Sequence, residues 1–513
     1  MNRRISFLAA LLAGTAAAQM LVRVRNAADP VYSAIVPGSL ASVFIESDTT
    51  PPGPVVLKPS TTSVTINGEP ASVLGSDNQG GVLVLIPSDT PLGHQTGVNV
   101  DYQFQGRNLT GTATVACVGS LFGFFTLGFG YGPALAVQGN GQKNTFLHPA
   151  LPGDIVSLWG TGMGDATPDQ FTVLLGGHAA PVLYAGPAPG LPGVDQVNFL
   201  VPNDPAIPDG CSVALEVDVA NFRSNVSQLS KASSPGPCES GIGLSVDQLA
   251  QLDAGGTVDV VSFYIHSAVT LQRDGSFGRT ESFSAFNDAF NARIIGPGPL
   301  FADDVVYSCR RPPLVAPLAG ADVVGQGGKA DIGPIIVLTG PSSSDTVPGT
   351  LSQYVLNPPE GTPAPSLDGV SPSYFTPGTW QVTGGGNPII GPYQSQINVP
   401  PTIQVTNYPD LQSIDATMDL LVQWNPAGYG SSDLVTLGVT IASLSAITCQ
   451  AHATDGQITV PAKLIQSPSA SLASFTISVQ GFSSPFSVPL NDGTTLPAGF
   501  DYRFSDSFIG RIR

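Results

Sequence analysis

A segment of this chain recurs once, about 115 residues downstream, and that repetition constrains the fold more than any other feature. Pro37-Gly38-Ser39-Leu40-Ala41-Ser42-Val43-Phe44 returns as Pro152-Gly153-Asp154-Ile155-Val156-Ser157-Leu158-Trp159, and Val84-Leu85-Ile86-Pro87 returns in phase as Phe199-Leu200-Val201-Pro202. Ile66-Asn67-Gly68-Glu69-Pro70-Ala71 has a looser echo in Leu175-Gly176-Gly177-His178-Ala179-Ala180. The repeated residues are turn formers and apolar strand residues, so one β-rich unit is used twice. Asn67-Gly68 between alternating runs is a hairpin signal. Short strands at regular spacing with turns between them predict immunoglobulin-like β-sandwiches.

Composition agrees. Charged residues are only 11% of the chain, against about 25% in an average soluble protein. Gly 59 and Pro 47 punctuate it, while 42% hydrophobic content is enough to build cores. The expected class is all-β: tandem immunoglobulin-like sandwich domains with at most one or two short helices. Residues 1–18 read as an export signal. Arg3 and Arg4 form its positive end, Ile5 to Leu12 its apolar stretch, and Ala16-Ala17-Ala18 its small-residue cleavage site. Removing them takes the net charge from −18 to −20. The apolar stretch is too short to span a bilayer as a helix, and the expected location is extracellular or cell-surface. An acidic chain without a basic patch cannot release phosphate counterions, which excludes nucleic acid as a partner. Leu109 to Gln142 carries no charged residue, but Gly119, Gly123, Gly128, Gly130, Gly132 and Pro133 break it into strand-sized pieces, so no membrane span is expected after signal cleavage.

Five cysteines in an exported chain predict two disulfides and one remaining thiol. Cys211 opens the strand that runs to Val217 and Cys238 follows the last strand of the second repeat, so a Cys211–Cys238 bond would staple the end of that unit. Cys309–Cys449 follows only by elimination, leaving Cys117 free or linking two chains. No two cysteines have zinc-site spacing.

The punctuation divides the chain into residues 19–118 (repeat 1), 119–238 (repeat 2), 239–318 (β-rich with one short helix), 319–402 and 403–513 (further sandwiches). The helix is predicted from Val246 to Leu252, capped by Ser245 and ended by Gly255-Gly256. Residues 281–295, with Phe283, Phe286 and Phe290, fit a strand or a helix.

Pro152-Gly153-Asp154-Ile155-Val156-Ser157-Leu158-Trp159-Gly160-Thr161-Gly162-Met163-Gly164 resembles a signature of a family of uncharacterised secreted acidobacterial proteins with a tandem IPT/TIG-like, immunoglobulin-like β-sandwich region. Gln196-Val197-Asn198-Phe199-Leu200-Val201-Pro202 is similar to a strand of that family, and Gly210-Cys211 with Pro237-Cys238 resembles its flanking cysteine pair. Phe375 to Gly384 and Gln457 to Pro461 are similar to its C-terminal segments. Repeat 1 departs from the pattern, with Phe44-Ile45-Glu46 where repeat 2 has Trp159-Gly160-Thr161. The resemblance implies fold and export, and supplies no activity and no site.

Candidate chemistry is sparse. Gly160-Thr161-Gly162-Met163-Gly164 has the glycines of a phosphate loop, but Asp165-Ala166-Thr167-Pro168 is turn chemistry where a helix would have to open. His94, His148, His178, His266 and His452 show no metal-binding spacing, and no nucleophile elbow is present. Asp303 and Asp304 are adjacent and would point to opposite faces of a strand. The Asp274-Gly275-Ser276 turn and the Asp415/Asp419 pair suggest calcium, without a calcium loop. No catalytic, cofactor or metal residue is therefore assigned. The alignment of Trp159 with Phe44 predicts a core position for Trp159, whereas Trp380 and Trp424 are candidate stacking platforms for a sugar. The expected function is non-catalytic binding or scaffolding at the cell surface, with a polysaccharide or an envelope or extracellular protein as partner. The alternatives are a secreted hydrolase centred on Asp303, Asp304 and His266 within 239–400, and an inert structural spacer.

Overall fold

The computed structural model describes residues 20–512 except 30–33, 48–53, 78–79, 105, 129, 131, 220–221, 226, 272–276, 292–308, 310–333, 351–352, 357–373, 442–446, 466–470 and 483–485. Residues 1–18, expected as an export signal, and Asp274-Gly275-Ser276, Asp303 and Asp304 lie outside the described residues. The fold is all-β, with tandem immunoglobulin-like sandwiches at its start. The helix Val246–Asp253 is capped by Ser245, whose hydroxyl accepts from the amide of Gln248. Single helical turns occur at Tyr408–Leu411 and Ala462–Ile465. No helix among the described residues is long and apolar enough to cross a membrane.

The repeat is structural as well as textual. Strand Leu40–Ser47 pairs antiparallel with Val82–Leu85, placing Leu40 opposite Leu85, Ala41 opposite Val84 and Val43 opposite Val82. Strand Ile155–Thr161 pairs with Asp195–Leu200 in the same register, Ile155 opposite Leu200, Val156 opposite Phe199 and Leu158 opposite Val197. A one-residue slip would turn every buried side chain outward, so the shared register follows from the shared apolar pattern. Asn67 and Gly68 take positive φ, 51° and 90°, as a tight hairpin turn requires.

The units differ at one proline. In repeat 1, strand Glu69–Ser76 pairs with Ser63–Ile66 along its first half and with Val82–Leu85 along its second, and the register shifts between Val73 and Gly75. It thereby links both layers into a nine-stranded sheet. In repeat 2 the matching stretch is cut into His178–Ala180 and Val182–Pro187, with Pro181 between them. Proline brings no N–H to a ladder, and the two five-stranded sheets of this unit stay separate. Val156, Leu158, Phe199, Val173, Leu175 and Val217 fill the space between them.

Beyond residue 256 the expected division gives way. Strands from 239–318, 319–402 and 403–513 share one thirteen-stranded sheet and one core that runs from Val261 to Ile512. The link is a parallel pairing of Thr257–Leu271 with Thr495–Ile512, from Val261 opposite Ala498 to Ala268 opposite Ser505. Of residues 281–295, ambiguous in sequence, 281–291 belong to the strand Phe277–Asn291, which pairs along its whole length with Thr257–Leu271, and 292–295 lie outside the described residues.

Cys211 and Cys238 are bonded, as are Cys309 and Cys449. The first bond does more than close repeat 2. Phe146, both cysteines, Leu249 and Leu252 of the helix, and Val258 and Val260 form a small core that joins repeat 2 to the large sheet. Asp253 at the helix end accepts the amides of Phe146 and Leu147, at 3.0 and 2.9 Å. Cys117 is a free thiol 2% exposed, which removes it as a link between two chains.

Candidate functional site

The glycines of residues 160–164 hold one unit against another stretch of backbone. Gly160 near the end of strand Ile155–Thr161 and Gly162 and Gly164 beyond it, both with positive φ, face the segment 119–123. A Cβ at Gly162 would collide with the carbonyl of Leu121, and one at Gly164 with that of Gly119. The close approach allows Leu121 N–H to donate to Gly162 O at 2.8 Å. These glycines serve backbone packing, and no helix opens after them as a phosphate site would need.

Thr161 ties this layer to repeat 1. Its hydroxyl accepts from the amide of Leu40 at 2.8 Å and donates to the carbonyl of Gly193 at 2.6 Å, and the residue is fully buried. Asn26 adds a second tie, its amide donating to Leu121 O at 2.8 Å while its oxygen accepts from Ala28 N. Over these bonds folds the loop between Pro187 and Asp195, closed by Ala188 N–H to Val194 O and Val194 N–H to Leu191 O. A Cβ at Gly193 would meet Leu40 and Leu85, so the loop lies directly on the repeat 1 strand pair.

Between this loop and the Pro37-Gly38-Ser39 turn lies a cleft of about 760 Å³, lined by both units. Leu92 from repeat 1 and Leu191 from repeat 2 stand at its margins, 61% and 52% exposed. Asp89, Asp165 and Asp195 also line it, and among the described residues none that lines it is basic or aromatic. Asp195 accepts the amide of Met163 at 2.8 Å. Burial pushes its carboxyl up from 3.8 to about 6, against the opposing pull of the Met163 and Gly162 amides. Tight turns, two leucines and three carboxylates can hold an extended ligand, but they provide no paired nucleophile and base.

The residues singled out in the sequence lie elsewhere. Trp380 and Trp424 are 0% and 2% exposed, with their indole N–H groups donating to Thr376 O and Ala453 O at 2.9 and 2.7 Å. Neither offers a face to a sugar, so the stacking assignment is corrected to core. Trp380 packs edge-on against Phe375 at 5.1 Å. Trp159, expected in the core, is half-buried, and so is its counterpart Phe44, which lies under the Arg25 guanidinium at 4.7 Å.

His266 stands on the face of the large sheet turned away from the core, its ring stacked on Tyr264 at 6.0 Å. Burial and the Arg503 charge hold its pKa below the ordinary histidine value. Asp415 is engaged by Thr417 through both the amide and the hydroxyl, and Asp419 accepts the amide of Ala462, so this pair terminates turns. Among the described residues no group of three or more His, Cys, Asp or Glu is placed to hold a metal ion.

No protein-family model and no curated protein matches the chain. Among solved structures it is similar to a Ca2+-stabilized adhesin that helps an Antarctic bacterium reach out and bind ice, at 12% identity over 94% of this chain and 97% of that one, with a TM-score of 0.15. It is also similar to an auxiliary nutrient binding protein from Bacteroides ovatus, at 13% identity over 53% of this chain and 43% of that one, with a TM-score of 0.14. A third is Sidekick-1 immunoglobulin domains 1–4, at 10% identity over 96% and 98%, with a TM-score of 0.13. Scores this low carry no argument, and the fold rests on the strand order and registers above.

Proposed function

We propose that this chain is an exported, non-catalytic binding or scaffold protein of the cell surface, related to the secreted acidobacterial proteins whose motif it resembles. The single observation that carries this reading is the cleft at the junction of the first two units. Ligand sites are concave, largely preformed and favoured at domain interfaces. This one is fixed by Thr161 and Asn26 and lined from both sides. The polysaccharide and the surface protein expected as partners are no longer equal candidates, because the tryptophans that favoured a sugar are buried.

The test is retention of residues 19–513 on whole-cell envelope and on insoluble polysaccharides, with supernatants assayed for released sugar. Retention without release, abolished by filling the cleft with Ser88→Trp, is the expected result. Released sugar would overturn the reading in favour of a hydrolase and make Asp303, Asp304 and His266 the next substitutions. Absence of both retention and release would leave a structural spacer.

A further inference from the structure

We infer that the junction cleft receives an extended, lysine- or arginine-bearing segment of a partner protein, its cationic side chain seated among Asp89, Asp165 and Asp195 and its apolar residues against Leu92 and Leu191. The inference rests on the cleft being the binding site, and it adds the chemistry of the occupant. Three observations select that occupant. Among the described residues every ionisable side chain of the lining is a carboxylate, Asp89 from one unit and Asp165 and Asp195 from the other, which makes their contribution to the potential of the cleft negative. The two exposed leucines belong to different units and stand at its margins, so a ligand spanning the junction would cover both. Among the described residues no aromatic ring lines the cleft to give a pyranose a stacking platform. Glycine and proline turns leave a shallow, backbone-rich floor suited to another extended backbone.

The carboxylate of Asp195 makes the interaction pH-dependent. Its value of about 6 means that it gains its charge between mildly acidic and neutral pH. Among the described residues Asp89 and Asp165 are the other charged groups facing the cleft, and both are exposed. A cation should therefore bind more tightly at about pH 7 than at about pH 5, and Asp195→Asn should flatten that dependence.

The test uses residues 19–513 and a fluorescein-labelled peptide of Lys-Pro-Leu-Pro repeats, with a Glu-Pro-Leu-Pro peptide as its counterpart, read by fluorescence anisotropy. The lysine peptide should bind and the glutamate peptide should not. Replacing Asp89, Asp165 and Asp195 together by Asn should weaken binding about tenfold, the sum of two exposed ion pairs and one partly buried pair. A control of equal charge change, with the exposed Asp169, Asp247 and Asp410 replaced by Asn, should leave it unchanged.

Equal losses in the two triple variants would overturn the inference, since binding would then follow net charge. Equal binding of the two peptides would overturn the cationic occupant. Failure of the lysine peptide with tight binding of chitosan oligomers would replace the peptide by an amine-bearing sugar. If envelope material is retained in a Ser88→Trp-sensitive manner but without preference for lysine, only this inference fails. If nothing is retained, the proposed function fails first.

Discussion

Thr161 is the residue on which the tandem turns. In repeat 1 its place is taken by Glu46, so the bridge from Leu40 N–H through its hydroxyl to Gly193 O belongs to one unit only. Thr161→Val keeps the volume and orphans a buried donor, Leu40 N–H, and a partly buried acceptor, Gly193 O. It should cost about 2 kcal/mol, measured as a shift in the urea midpoint with an unchanged slope. Asp195 works in the opposite direction. Its folded-state value lies above that of the unfolded chain, so the folded state holds its proton longer. Stability is lost as pH rises from about 4 through about 6. Asp195→Asn should remove that loss and stabilise the protein at neutral pH by at most about 3 kcal/mol. A variant less stable than the parent at pH 7 would show that the carboxylate bond to Met163 outweighs desolvation. The tryptophans carry a lesson at this scale. Leu420, Val422 and Trp424 alternate inward, as do Trp380 and Val382, while Trp159 follows Leu158 and sits out of phase with the inward Val156 and Leu158. Period-two counting along each strand places all three correctly. Trp159 and Phe44 hold equivalent positions in the two repeats, and both share the outward phase.

Element by element, the first two units were legible because their pattern is local. The turn residues, the alternation and the repeat spacing together predict both strand pairs in register, and Ser245 with Gln248 marks the helix start. The repeat also sets a controlled comparison. Leu40 and Ile155 occupy equivalent positions, yet Leu40 is 4% exposed under the loop that ends at Asp195, and Ile155 is 42% exposed. Leu40→Ala should therefore cost about 2 to 4 kcal/mol, and Ile155→Ala less than about 1. Equal costs in chemical denaturation would mean that the loop does not hold repeat 1. What was not legible is the cleft. Its walls come from residues 37–39, 88–92, 162–165 and 187–195, mostly glycine, proline and alanine, whose role is set by where distant backbones meet. The parallel pairing of Thr257–Leu271 with Thr495–Ile512 was hidden for a related reason. An apolar strand pattern states which face is buried, but names no partner more than two hundred residues away.

At the scale of the whole molecule, two covalent links join segments that are distant in sequence. Cys211–Cys238 sits in the small core between repeat 2 and the large sheet, and Cys309–Cys449 ties residue 309 to a strand at the sheet's edge across a sequence separation of 140. In the chain-entropy account the longer loop is worth about 5 kcal/mol and the shorter about 3.5. Two such bonds are compatible with an oxidising compartment. Thiol titration tests the arrangement directly. Protein made by export should show no reactive thiol while folded and a single one, Cys117, once denatured, because Cys117 is buried and the other four cysteines are paired. Protein made in a reducing cytosol should show five thiols on denaturation and melt at a lower temperature. Three thiols in the denatured exported chain would mean that one bond does not form. Mass mapping would then decide which, and loss of Cys211–Cys238 would free the joint that carries the tandem and its cleft on the large sheet.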